Sequence, residues 1–221
     1  YHGLKENNEI LFKDRNVKNI FIDIYQNEYW KKNYSLSGSG SELDEKSDYV
    51  INLKKLLKEL NFSSIFDLPC GDMSWMKFVI NDLKIDYIGG DIVPELVNKN
   101  NQNFEKLKFI EFDIINSTDY PKVELIHIKD CLFHFSFKDI VRVINSLKKS
   151  NIKKMLLTSH KSKILKNLDI QTGDFRYLDL EKKPFNFPKP KKRVKDFKFG
   201  EFPKYVNLWN IDEIPNFPNE E

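Results

Sequence analysis

Three aspartates, Asp67, Asp91 and Asp113, and one glycine, Gly71, carry the plainest chemical signal in this sequence. Each acid closes a short apolar run: Ser64-Ile-Phe-Asp67, Ile85-Asp-Tyr-Ile-Gly-Gly-Asp91 and Lys108-Phe-Ile-Glu-Phe-Asp113. A carboxylate at such a strand end is placed to accept both hydroxyls of a ribose, which is the role expected of Asp91. Asp113, one strand further on, is placed to take the exocyclic amine of an adenine. Gly71 stands between a strand and a helix, where a missing Cβ lets the backbone approach a ligand and the helix start offers unpaired N–H groups. Three acids at three successive strand ends outline a nucleoside-shaped slot. Taken singly, each has a plainer role: Asp91 as cap of the helix that begins at Pro94, Asp113 as cap of a turn.

A second group of reactive side chains follows the next two apolar runs. Asp130 and His134 come just after Val123-Glu-Leu-Ile-His-Ile-Lys129, and His160 follows Lys154-Met-Leu-Leu-Thr158. A neutral imidazole is available as a base near pH 7. The alternative for His134 is packing among Phe133, Phe135 and Phe137, and His127, inside a strand, reads as structural. Asp174 and Arg176 share a loop with Gly173; the arginine suits a phosphate or carboxylate, or an ordinary salt bridge. Cys70 and Cys131 flank the slot as small fillers. The spacing of Asp130, His134 and His160 demands no metal.

The elements that must position these residues alternate. Apolar spacing predicts a helix from Asp48 to Leu60 with Ser47 or Asp48 as N-cap, then strands at 64–67, 85–91, 108–113, 123–129 and 154–158. Helices are predicted at 74–83, from Pro94, and at 137–149. Such alternation implies parallel strands with right-handed crossovers, an α/β, doubly wound, Rossmann-like fold with helices on both faces. In the last fifty residues six prolines break the pattern. Arg176–Leu180 and Tyr205–Asn210 are read as two closing strands, completing a mostly parallel seven-stranded sheet, with a basic, Pro-rich loop between them. Residues 1–46, with Tyr25, Trp30 and the Ser39-Gly40 loop, read as a lid or a linker ahead of a single domain over 47–221.

The 221 residues suffice for one such domain and a sizeable core. With 40% hydrophobic and 31% charged residues, the composition is globular. Thirty-six basic against 33 acidic side chains leave +3, too balanced to argue for nucleic acid. The basic stretch at 182–195 reads as a solvated surface or an attraction for an anionic acceptor. The interleaved Phe185, Phe187, Phe197 and Phe199 also allow an RNA contact. Two distant cysteines, no membrane-length apolar run and a start at Tyr1 without a leader suggest a cytoplasmic protein whose N-terminus has been trimmed or replaced. Oligomeric state is not legible.

Asp67-Leu-Pro-Cys-Gly-Asp72 resembles the first motif of class I S-adenosylmethionine-dependent methyltransferases, with Pro69 in place of its first glycine and Met73 in place of its third. The version Asp-x-Pro-Cys-Gly-Asp-x-x-Trp-Met resembles a bacterial branch associated with surface-polysaccharide gene clusters. Tyr87–Pro94, Lys129–His134, Thr172–Arg176, Pro184–Pro188 and Leu208-Trp209 extend the likeness over residues 20 to 215. The resemblance implies S-adenosylmethionine bound by Asp67, Pro69, Gly71, Trp75, Asp91, Ile92, Asp113, Ile114, Lys129 and Asp130. The Gly71 turn would lie under the methionine part, with Lys129 and Asp130 beside the transferred methyl. It further implies O-methylation of a sugar hydroxyl or a phosphate or phosphoramidate group of a capsular glycan precursor. His134, Asp130 or His160 would serve in catalysis, and Asp174, Arg176, Tyr25 and Trp30 would face the acceptor. A nicotinamide dehydrogenase would need the two missing glycines. A nucleic-acid methyltransferase would carry Asn-Pro-Pro-Tyr where Lys-Asp-Cys-Leu stands. A non-catalytic subunit that keeps the slot is the other alternative.

Overall fold

The computed structural model describes residues 16–31, 33–199 and 202–218; the chain start, and the reading placed on it, lie outside them. Seven strands form one sheet in the order β3-β2-β1-β4-β5-β7-β6. They are β1 (Ser64–Asp67), β2 (Asp86–Asp91), β3 (Lys108–Glu111), β4 (Leu125–Ile128), β5 (Lys154–His160), β6 (Lys192–Phe199) and β7 (Phe202–Asn210). β1 to β5 pair in parallel, β7 runs antiparallel to β5, and β6 antiparallel to β7. The strand order reverses between β1 and β4, which opens a crevice at their carboxyl ends.

Five α-helices among the described residues accompany the sheet: α1 (Val17–Gln26), α2 (Asp48–Leu60), α3 (Met76–Ile80), α4 (Pro94–Asn103) and α5 (Phe137–Lys149). Two apolar clusters lie on either side of it. One gathers Phe66, Ile126, Ile128, Leu157 and Trp209 with the inner face of α5. The other gathers Ile65, Leu125, Leu156 and Leu208 with Leu53 and Leu57 of α2. Alternate residues along β1 and β4 thus face opposite clusters, as a central strand requires. The Ser136 side chain accepts from Asp139 N at the start of α5, and Pro94 opens α4 at its first turn.

Three sequence expectations are corrected. Arg176–Leu180 is no strand; the sixth strand is Lys192–Phe199, inside the stretch read as a basic loop. Its side chains alternate, with Val194 and Asp196 buried between exposed Arg193 and Lys195, and the many lysines concealed that period. The helix expected over 74–83 shortens to Met76–Ile80. Phe185 and Phe187 are 0% and 4% exposed, so neither can stack on a base, and the RNA-contact reading loses them. Among the described residues no helix is long and apolar enough to cross a membrane.

Candidate cofactor and acceptor site

β1 runs into the turn 68–73, where Gly71 takes φ +58° and Met73 φ +58°. Met73 therefore occupies the left-handed conformation that usually calls for glycine. It is buried, with Sδ 3.0 Å from Tyr87 Oη. A Cβ on Gly71 would come within 2.6 Å of Ser37 Oγ. Asp91, at the end of β2, accepts from Gly71 N (3.2 Å) and Val93 N (3.1 Å). Burial pushes its carboxyl up to about 6, despite those amides. Asp113 accepts from Ile115 N (2.9 Å) and Asn116 N (3.2 Å), so it caps its turn while lining the same cavity as Asp91.

That cavity lies along the carboxyl ends of β1, β2 and β4 and encloses about 1000 Å³, its open mouth included. Pro69, Gly71, Trp75, Asp91, Ile92, Asp113, Ile114, Lys129 and Asp130 all line it. Asp67 does not. Its two oxygens bind His127 Nδ1 (2.6 Å) and Tyr87 Oη (2.9 Å) beneath the turn, and His127 Nε2 meets Tyr49 Oη at 3.0 Å. Asp67 thus supports the turn from below in a chain of satisfied buried groups.

The front segment closes the cavity from above. α1 contributes Phe21, Ile24 and Tyr25, and Trp30 follows; Tyr25 Oη accepts from Lys99 Nζ on α4 (3.0 Å). Residues 35–41 then cross the Gly71 turn as a strap. Asp72 Oδ2 accepts from Ser35 Oγ (2.8 Å) and Leu36 N (3.1 Å), and Asp72 N donates to Ser37 Oγ (3.2 Å). Ser74 Oγ donates to Ser41 O (2.7 Å), and Lys129 Nζ to Gly40 O (2.8 Å). A Cβ on Gly40 would overlap Asp130 Oδ2, so only glycine lets the strap lie this low.

Under the strap sit four charges, Lys129, Lys204 and Asp196 buried and Asp130 partly so. Asp130, with φ +54°, takes Lys129 Nζ at 2.6 Å and Lys204 Nζ at 2.8 Å on both oxygens. Its own N–H donates to Thr158 Oγ1 (2.8 Å). Asp196 faces Lys129 (3.3 Å) and Lys204 (3.0 Å) through charge, without aligned hydrogen bonds. Burial opposes ionisation of Asp130, but the two ammoniums outweigh it and hold the carboxyl well below the usual range. Burial also opposes the Lys129 ammonium, and Asp130 and Asp196 reverse that, raising its pKa. Asp130 is therefore a fixed anion and a weak base. Lys204 and Asp196 escaped the sequence reading, because only the antiparallel placement of β7 and β6 brings them here.

His134 lines the cavity with its ring stacked on Trp30, centroids 4.6 Å apart. Its Nδ1 lies 2.8 Å from Asp174 O; a carbonyl only accepts, so Nδ1 carries the proton and Nε2 keeps its lone pair. Burial lowers the ring to about 4, so it is neutral at pH 7. His160 lies off the cavity, its Nδ1 accepting from Leu178 N (3.2 Å). Asp174 and Arg176 also lie outside the lining. Asp174 acts through its backbone on His134, and the salt bridge open to Arg176 does not form. Burial raises the thiol pKa of both Cys70 and Cys131, as inert fillers require.

This geometry meets solved structures. The chain superposes on magnesium protoporphyrin IX methyltransferase from Synechocystis, solved with bound SAM, with a TM-score of 0.60 and 12% identity over 89% of this chain and 98% of that one. It does so on the 1,6-didemethyltoxoflavin N1-methyltransferase of Burkholderia thailandensis, solved with S-adenosylhomocysteine, at 0.58 and 11%, over 88% and 86%. PigF, solved with SAH, gives 0.61 and 14% over 90% of this chain and 63% of PigF. The chain has the class I methyltransferase fold. Neither a family model nor a curated protein matches it.

Proposed function

We propose that the cavity binds S-adenosylmethionine and that the protein transfers its methyl group to a hydroxyl or phosphate-like oxygen of a small polar acceptor. The observation that carries this reading is the buried Asp91 carboxylate across the Gly71 turn, in one cavity with Asp113. It presents an anionic acceptor where a ribose diol fits, beside a backbone that only glycine leaves open. The residues suit the group: Trp75 and the Gly71 turn flank the methionine end, Ile92 and Ile114 the nucleoside. Bound there, the cofactor supplies a methyl group on a positive sulfur.

The chain's own residues then align and deprotonate the acceptor. His134 Nε2 is the base, with its tautomer set by Asp174 O and its ring held by Trp30. Asp130 stays ionised throughout and anchors Lys129 beneath the strap. His160 supports the fold at the end of β5. Within the segment 1–46, the described residues from Asn16 on act as a lid on the single domain 47–221, with Tyr25 over the nucleoside and Trp30 on the acceptor side. The sequence likeness to the surface-polysaccharide branch supports a cytoplasmic enzyme acting on a capsular glycan precursor. Burial of Phe185 and Phe187 counts against a nucleic-acid substrate.

Calorimetric titration with S-adenosylmethionine and S-adenosylhomocysteine, with NAD as control, tests the reading. Micromolar binding of the first two alone is expected, and Asp91→Ala weakens it by roughly 1–3 kcal/mol through lost charged hydrogen bonds. Folded protein silent to both sulfur compounds would leave only the fold and favour a non-catalytic subunit.

A further inference from the structure

Three cations are buried among the described residues; Lys129 and Lys204 are paired with Asp130, whereas the guanidinium of Arg176 has no hydrogen-bond partner. The residue is 6% exposed; Nε, Nη1 and Nη2 are enclosed, and none has a hydrogen-bond partner. One face of the guanidinium covers the Phe137 ring, 4.9 Å from its centroid, which leaves the planar edge and its donors unused. Burial lowers its pKa to about 10, and the charge of Asp169 offsets that only in part. Neighbouring carboxylates are already engaged. Asp169 Oδ1 accepts from Phe137 N and Ile170 N, Asp139 from Thr172 Oγ1 and Arg142, and Asp174 Oδ1 from Phe175 N. A buried guanidinium without acceptors is costly, and its fork matches two oxygens of one tetrahedral anion.

The same loop grips the proposed base. Arg176 N donates to Phe133 O, Gly173 N to His134 O, and Asp174 O accepts from His134. We propose that Arg176 is the anchor of an oxyanion site for a phosphoryl group, set behind His134. It is reached when segment 161–171, which has neither helix nor strand and contributes Asp169, lifts away. This rests on the acceptor reading above for its purpose, though not for its binding chemistry.

Calorimetry and thermal shift of the full chain with inorganic phosphate and with glucose 1-phosphate, at constant ionic strength set by chloride, test it. Phosphate binds the unaltered protein, and Arg176→Gln weakens it roughly 10-fold or more. Arg176→Lys, which keeps the charge and loses the fork, lies between and serves if the glutamine variant fails to fold. Glucose 1-phosphate favoured over phosphate only with S-adenosylhomocysteine present marks an acceptor-borne group; equal binding marks a free phosphate. No phosphate binding, or equal binding with and without the arginine, overturns the site. S-adenosylhomocysteine binding, read separately, is untouched by Arg176→Gln, so failure of the cofactor reading is told apart.

Discussion

Burial moves Asp91 and His134 in opposite directions along the pH axis, and both shifts favour the neutral form. Asp91 sits near 6 and His134 near 4. Falling pH therefore protonates Asp91 first and removes an acceptor for the ribose hydroxyls, while Nε2 of His134 still holds its lone pair. In initial-rate measurements, kcat/KM for the cofactor should fall as pH drops through about 6. At saturating cofactor, kcat should hold until pH nears 4. A kcat limb near the ordinary histidine value would mean that His134 is not the base. Replacing it by alanine should cost about 100-fold in kcat and leave cofactor affinity unchanged. An unchanged kcat would return His134 to the packing role it shares with Trp30.

The strap is the element on which cofactor retention depends. It holds no apolar core of its own and lies on the Gly71 turn through Asp72, Ser74 and Lys129. Gly40→Ala should lift it from Asp130 and speed release of bound S-adenosylhomocysteine about tenfold, the worth of one charge-assisted hydrogen bond. Stopped-flow release from the variant reads this directly, with an unaltered melting temperature as control; an unchanged rate would show that the strap does not retain the cofactor. Strands β1 to β5 were legible because each is a short apolar run, and those of β1 to β4 lead into an acid. The cofactor-side residues followed, since a strand end fixes where its last side chain points. The strap was legible only as a flexible loop, because its order comes from Asp72 and Lys129, not from its own Ser-Gly pattern. β6 is hidden in the sequence because Lys192, Arg193 and Lys195 surround the inward-turned Val194 and Asp196, and Arg176–Leu180 is the apolar run that draws the eye instead.

Across the whole molecule, acid weakens the fold through its buried imidazoles. His134 and His160 both sit near 4 in the folded protein, against about 6.5 unfolded. The unfolded chain thus binds more protons in that window, and stability falls as pH drops through it. Asp91 works the other way, since its raised pKa lets the folded state take up a proton first. Two groups outweigh one, and the net loss by pH 5 is on the order of 2 kcal/mol. Melting temperatures should fall between pH 7 and pH 5, and His160→Gln should flatten that fall; a rise would contradict the burial of both rings. The pairing of Asp130 with Lys204 bears on how the protein is made. The parallel core from β1 to β5 spans residues 64 to 160, yet the carboxylate at the end of β4 meets its second ammonium only from β7. During synthesis the nascent domain can collapse around its central strands long before the floor of its pocket is neutralised. A chain halted just short of Lys204 would carry Asp130 and Asp196 against Lys129 alone, so the last strand to emerge is also the one that balances the charge.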